Sequence, residues 1–208
     1  MKKPNSIKKE RKLYIETGRQ KVAEVLFKYP EKEFNLSELA IKAGVAKANI
    51  GFILNEFYKL GFIEIIKLSK IWRIKVDRSS GFYKKNKIVN NLRLIYDSNL
   101  VEFLANEYKN PKSIVLFGSF RFGEDISISD IDIAIEVDEY KIKNSVSLNI
   151  KDLIKPGNKN IAKQIDELER ELERKIQIHI FKRTDVNEGL FNSIANGIVL
   201  YGFLEVKK

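Results

Sequence analysis

In the first third of the chain, apolar residues recur at helical spacing and then switch to strand-like runs. Val22, Val25 and Leu26 mark a helix over residues 19–28, which Pro30 ends. Asn35 precedes Leu36-Ser37-Glu38, an N-cap signal with a glutamate three positions on, as in a capping box. The short helix that follows carries Leu36, Leu39, Ala40 and Ala43 on one side, and Gly44 offers the left-handed turn that ends it. A longer helix, over about residues 46–60, turns Ile50, Ile53, Leu54 and Phe57 inward and stops at Gly61. Two β-rich runs, Phe62–Leu68 and Ile71–Val76, flank Ser69-Lys70 and predict a hairpin.

Ser79-Ser80-Gly81 breaks the pattern. Beyond it, residues 84–96 predict a basic helix packed through Ile88, Leu92 and Ile95. A second helix, about 97–108, packs through Leu100, Phe103 and Leu104 and ends at Asn110-Pro111. Ser113–Phe117 is a short apolar run, the mark of a strand buried on both faces. A second strand starts near Asp130 and runs to Val137, with Ile131, Ile133 and Ile135 on one side. The charged stretch 160–174 predicts a solvated helix with i,i+4 pairs, and Lys175–Phe181 a further strand. Residues 141–159, with Lys155-Pro156-Gly157, are expected to form a linker or insertion. The expected division is 1–80, a connector helix 81–96, and 97–208.

Composition narrows the function classes. The chain has 208 residues and is 44% hydrophobic, enough for packed cores. It has no cysteine, which excludes a disulfide scaffold, a thiolate zinc site and a cysteine nucleophile, and fits a reducing compartment. The opening MKKPNSIKKERK lacks the apolar core of a signal peptide, and no apolar run is long enough to span a bilayer. A cytoplasmic protein without membrane association is expected. Net charge is +10, unevenly spread: residues 1–95 carry 22 Lys and Arg against 9 Asp and Glu, and residues 96–208 carry 16 against 19. The basic half fits a polyanionic partner, although a Lys-rich solubility surface gives the same count.

The candidate chemistry sits where the strands begin and end. Gly118-Ser119 follows the first buried strand directly. Glycine lets backbone approach a ligand closely, and a turn or helix starting there would aim unpaired N–H groups at a phosphate, with the Ser119 hydroxyl as a further donor. Ten residues on, Asp130 and Asp132 are two apart, the strand period, so both point to one side. Paired carboxylates at the mouth of an apolar strand are costly unless a cation compensates. Hard oxygen ligands with open positions suit Mg²⁺, with Mn²⁺ as the alternative. A solvated strand end would account for the same two residues without any ligand.

Two resemblances extend this reading. Residues 19–76, above all LSELAIKAGVAKANIGFILNEFYKLGFI, resemble a winged helix-turn-helix. That resemblance implies a third helix entering the major groove of DNA, or meeting RNA, and a wing on the backbone. The exposed candidates are Lys42, Lys47, Lys67, Lys70 and Arg73 for phosphates and Asn49 for a base edge. The string GSFRFGEDISISDIDIAIEV resembles the minimal nucleotidyltransferases of the polymerase-beta-like superfamily: Gly-Ser, ten residues, then Asp-x-Asp. The likeness covers about residues 97–204, including IANGIVLYGFL, and the fusion with a winged helix resembles a group of archaeal proteins. The fold class so implied is α+β: a winged helix, a helical connector, and an α/β nucleotidyltransferase domain with a small mixed sheet.

By that resemblance Gly118, Ser119, Arg121 and Ser129 bind the nucleoside triphosphate, while Asp130 and Asp132 ligate Mg²⁺ and act in catalysis. The reaction implied is transfer of a nucleoside monophosphate to an acceptor, with release of pyrophosphate. The chain departs from the pattern at one place. Active members present a third carboxylate on a later strand, and the matching position here is Gln177, which cannot serve as a base. His179 shares that side of the strand and is a candidate base or ligand, or simply structural. Two other readings stand beside the transferase. One is a regulator that binds nucleotide or DNA without turnover. The other is an antitoxin-like minimal nucleotidyltransferase acting on a separate protein partner. A homodimer through the winged helix is a further possible association.

Overall fold

The structure is a computed structural model that describes residues 16–68, 71–138, 144–153 and 159–206. It divides into two compact units, which meet in the chain between Asn90 and Asn91.

The N-terminal unit begins with helix α1 (Gly18–Lys28), capped by the Thr17 side chain. Helix α2 (Leu36–Ala43) starts where Asn35 Oδ1 accepts from the Glu38 N–H at 2.9 Å. The Glu38 carboxylate is held below its ordinary value chiefly by Lys32, at 2.6 Å, with the Asn35 N–H contributing. Gly44 ends α2 in the left-handed region at φ +62°. Helix α3 (Lys47–Lys59) buries Ile50, Ile53, Leu54 and Phe57, the residues its periodicity selects. Strands β1 (Ile63–Leu68) and β2 (Ile71–Val76) pair antiparallel, Ile63 opposite Val76. Phe62 organises the core by edge-on contacts with Phe27 and Phe57. The hairpin turn at Ser69-Lys70 lies outside the described residues.

Helix α4 (Gly81–Asp97) is longer than the expected 84–96 and is not a separate connector. Its residues through Asn90 belong to the N-terminal unit, and those from Asn91 to the C-terminal one. Its fully buried row is Tyr83, Lys87, Asn91 and Ile95, at i+4 steps, whereas Ile88 and Leu92 are only half-buried. Two polar side chains face inward because each meets a buried partner: Lys87 Nζ donates to the carbonyl of Phe27 in the last turn of α1 at 2.9 Å. Asn91 serves the site described below.

The C-terminal unit is a five-stranded mixed sheet with helices on both faces. Helix α5 (Leu100–Glu107) leads to β3 (Ser113–Phe117), buried along its whole length. A single turn and a half, α6 (Gly118–Phe122), separates β3 from β4 (Ile131–Glu136). Strand β5 (Val146–Asn149) and a 3-10 turn at Ile150–Leu153 lie in the stretch expected to be a linker or insertion. Residues Lys155-Pro156-Gly157 lie outside the described residues. Helix α7 (Lys159–Leu172), β6 (Ile176–Phe181), α8 (Glu188–Ala195) and β7 (Ile198–Gly202) complete the unit. The order across the sheet is β5-β6-β4-β3-β7, with β4 and β6 parallel and the remaining pairs antiparallel.

Strand periodicity divides the side chains between the two faces. Ile131, Ile133 and Ile135 are fully buried with Ile176, Ile178 and Ile180 in the core that includes residues of α5 and α7. Each contributes about 1.5–3 kcal/mol by burial. The other face holds Val115, Phe117, Ala134, Phe181 and Ile194 of α8. Asp132 shares that second face, opposite Phe117 in the register. Among the described residues, no helix is long and apolar enough to cross a membrane.

Candidate functional site

The strand register assembles the site. Phe117 pairs with Asp132, Asp132 with Gln177, and Gln177 with Asn149. One row of side chains therefore crosses four strands: Asn149, Gln177, Asp132, Phe117. The neighbouring row on the same face is Ser147, His179, Ala134 and Val115. The resemblance to the minimal nucleotidyltransferases implies a third carboxylate at the position of Gln177, and the register puts that residue directly beside Asp132.

Gly118 sits at φ +69°, a conformation that L side chains resist. A Cβ built there would lie 2.4 Å from Asp132 Oδ2. Glycine is thus required twice, by the backbone and by the carboxylate packed against it. This is a cradle with no room for a side chain, and it brings the Gly118-Ser119 backbone against Asp132.

Asp130 stands one residue before β4 and is exposed, so strand alternation alone does not fix its direction. Asp132 is part-buried. His179 Nε2 lies 3.4 Å from Asp132 Oδ1, and His179 Nδ1 lies 2.6 Å from Ser147 Oγ. The imidazole also packs edge-on against the Phe117 ring at 5.0 Å. No group of three or more Asp, Glu, His or Cys side chains suited to a metal occurs among the described residues. Asp132 is a hard carboxylate donor against the glycine turn, and Asp130 a second one two residues earlier in the chain. That donor set fits Mg²⁺, which is commonly held by one or two carboxylates and completed by substrate phosphates.

The loop from Gly118 to Asp130 is held by a polar network that sequence reasoning missed. Asn91 Nδ2 donates to the Phe120 carbonyl and to Asp125 Oδ1, both at 2.8 Å. Asp125 also faces Arg174 at 3.7 Å, and Arg174 donates to the Ser127 carbonyl at 2.7 Å. All three side chains are buried. Ser129, expected at the nucleotide, closes the loop by accepting from the Ile126 N–H at 3.0 Å. Arg121 lays its guanidinium over the Phe122 ring, 4.2 Å from its centroid, and its buried Nε has no hydrogen-bond partner. Asp130 also lines a cleft of about 780 Å³, together with Lys151, Arg170 and Lys175; Gly118, Ser119 and Asp132 do not line it. Lys151 is raised above its ordinary value by Asp166, then by Glu169.

In the N-terminal unit, Lys47 and Asn49 are exposed on α3. Lys42 lies over the Tyr29 ring and Lys67 over Trp72, both exposed. Arg73 is ion-paired to Glu33, so it is not an uncommitted cation. Lys70 lies outside the described residues. Phe52, 70% exposed on α3, and Ile71, 62% exposed on β2, were not singled out by sequence reasoning.

The site so described is a glycine turn abutting an acidic strand end on a mixed sheet. The family model "Nucleotidyltransferase domain" matches residues 97–197, within the C-terminal unit. This segment is similar to that domain, and the similarity suggests nucleotidyl transfer in general. No curated protein and no solved structure matches the chain.

Proposed function

We propose that the C-terminal unit is an Mg²⁺-dependent nucleotidyltransferase, directed to its target by an N-terminal winged helix that binds DNA. The observation that carries the reading is the Gly118 turn packed against Asp132, which leaves no room for a side chain and sets backbone beside the carboxylate. Gly118 and Ser119 would receive the triphosphate, with Arg121 as a neighbouring cation. Asp130 and Asp132 would hold Mg²⁺, which when bound supplies charge neutralisation for the transferring phosphoryl group. Positioning is the larger task of the chain's own residues, and the Asn91–Asp125–Arg174 network performs it for the loop.

For the N-terminal unit, the order of three helices and a hairpin supports the winged-helix reading, with Lys47 and Asn49 exposed on the third helix. A gel-shift titration across salt tests it: affinity should fall steeply as salt rises, and no shift at low ionic strength would remove DNA from the reading.

The transferase reading is tested by incubating the chain with Mg²⁺ and α-labelled nucleoside triphosphates over protein, RNA and small-molecule acceptors. Incorporation is expected, and Asp132→Asn should abolish it. A second reading is favoured by one observation. Gln177 stands beside Asp132 where a carboxylate would complete the site. A regulator that binds nucleotide and transfers nothing would show Asp132-dependent binding without incorporation into any acceptor.

A further inference from the structure

Ser147 is exposed on β5, which is an edge strand of the sheet. Its Oγ is 2.6 Å from His179 Nδ1, while the opposite nitrogen of the same ring is 3.4 Å from Asp132. A single imidazole ring therefore separates a solvent-facing hydroxyl from the carboxylate at the centre of the site. The ring is braced by Phe117, the residue immediately before Gly118. Ser147 is also on the same face as Asp132 and Gln177, because it pairs directly with His179 in the register. Strand β5 is tied down at its start. The Ser145 N–H and hydroxyl both donate to Asp185, the N–H at 2.8 Å, and Ser145 Oγ accepts from the Lys182 N–H at 3.2 Å. A hydroxyl held in this way is placed, not merely present.

We propose that Ser147 is an acceptor hydroxyl, so that the chain nucleotidylates itself. This rests on the transferase reading. The step is a substitution at the α-phosphorus of a nucleoside triphosphate. Ser147 Oγ forms the new O–P bond. The bond from the α-phosphorus to the bridging oxygen breaks, and pyrophosphate leaves with that electron pair. The hydroxyl proton passes to the water that Ser147 faces. His179 is a positioning residue that fixes where the oxygen stands. An attacking oxygen must come within about 3–3.5 Å of phosphorus, so the step requires the α-phosphate to lie on the Ser147 side of Asp132. Gln177 does not oppose this, because a hydroxyl already in place depends less on a base than one that must be captured from solution.

The test uses the full chain with Mg²⁺ and each of the four ribonucleoside triphosphates, quenched in denaturant. Intact mass and peptide mapping read the product, and equilibrium dialysis of labelled nucleotide reads binding in parallel. The expected result is one added nucleoside monophosphate on Ser147. It should form at a rate independent of protein concentration and fall at least 100-fold in Ser147→Ala. Mapping on the unsubstituted chain decides alone if that variant does not fold. An adduct on another residue, or Asp132-dependent nucleotide binding with no adduct, overturns the proposal and leaves the nucleotide site standing. Absence of Asp132-dependent binding removes both together.

Discussion

Replacing Gly118 with alanine separates what the backbone demands from what Asp132 demands. The left-handed conformation at φ +69° costs a non-glycine residue about 1–2 kcal/mol. At about 2–4 °C per kcal/mol for a chain of this size, that strain alone lowers the melting temperature by about 2–8 °C. Gly44→Ala is the matched comparison: φ is +62° there and nothing lies within 4 Å of the added Cβ. Gly118→Ala carries a second cost. The new Cβ would stand 2.4 Å from Asp132 Oδ2, 3.2 Å from Cγ and 3.3 Å from Cβ. Carbon contacts are comfortable at about 3.5–4.0 Å, so the carboxylate must retreat by about 1 Å. Rotation cannot relieve all of it, because the Asp132 Cβ is fixed by strand pairing with Phe117 and Gln177. A misplacement of about 1 Å in a reacting centre costs roughly 10²-fold in rate. Calorimetric melting and labelled-nucleotide transfer therefore give different answers for the two variants. Both lose stability, and only Gly118→Ala loses nucleotide binding and transfer, approaching Asp132→Asn. If Gly118→Ala melts like Gly44→Ala and handles nucleotide like the unsubstituted chain, the glycine does not place Asp132 and the site argument fails.

Asn91→Ala removes two buried hydrogen bonds, from Phe120 and Asp125, and should cost about 2–4 kcal/mol in the C-terminal unit by urea denaturation. Nucleotide affinity should fall with it, because the loop carrying Ser119 loses its anchor. Gln177→Asp restores a third carboxylate beside Asp132, and Mg²⁺-dependent transfer to an external acceptor should rise by about 10²-fold in a steady-state assay; an unchanged rate would show that a missing base is not what limits turnover. Asp185 is held below its ordinary value of 3.8, chiefly by the Ser145 hydroxyl. Its folded value is depressed, so its contribution is present above pH 3.8 and disappears as pH falls through the lower folded value. Hydrogen exchange at Ser145–Asn149 should accelerate in that acid window, and Asp185→Asn should show the acceleration already at pH 7.

Much of this fold is written in local periodicity. The inward faces of α1 to α3 follow from Val22, Leu39, Ile50 and Leu54, and the strands β3, β4 and β6 from unbroken or alternating isoleucine and valine. The glycine turn and Asp132 were legible for the same reason, as interruptions of an apolar pattern. Other parts were not, because their partners are far away in sequence. Lys87 and Asn91 read as the polar side of a basic helix; they face inward only because Phe27, Phe120 and Asp125 wait there. Asp125 and Arg174 look like surface charges until the sheet brings them together. Strand β5 has four residues, two of them polar, and so carries little strand signal of its own. Its pairing with β6 is what gives Ser147 a meaning, and no spacing rule connects Ser147 to His179.

The glutamine beside Asp132 has a thermodynamic consequence. If Asp130 and Asp132 hold a divalent cation as proposed, glutamine at the neighbouring position would offer it fewer charges than a third carboxylate and leave more of its coordination shell to be filled from elsewhere. On the proposed reading those remaining ligands come from the triphosphate. Cation and nucleotide then load as a coupled pair, each raising the affinity for the other by the same factor. Occupancy would follow the concentration of the metal–nucleotide complex, not of either component, so a titration with cation alone would understate what the site can hold.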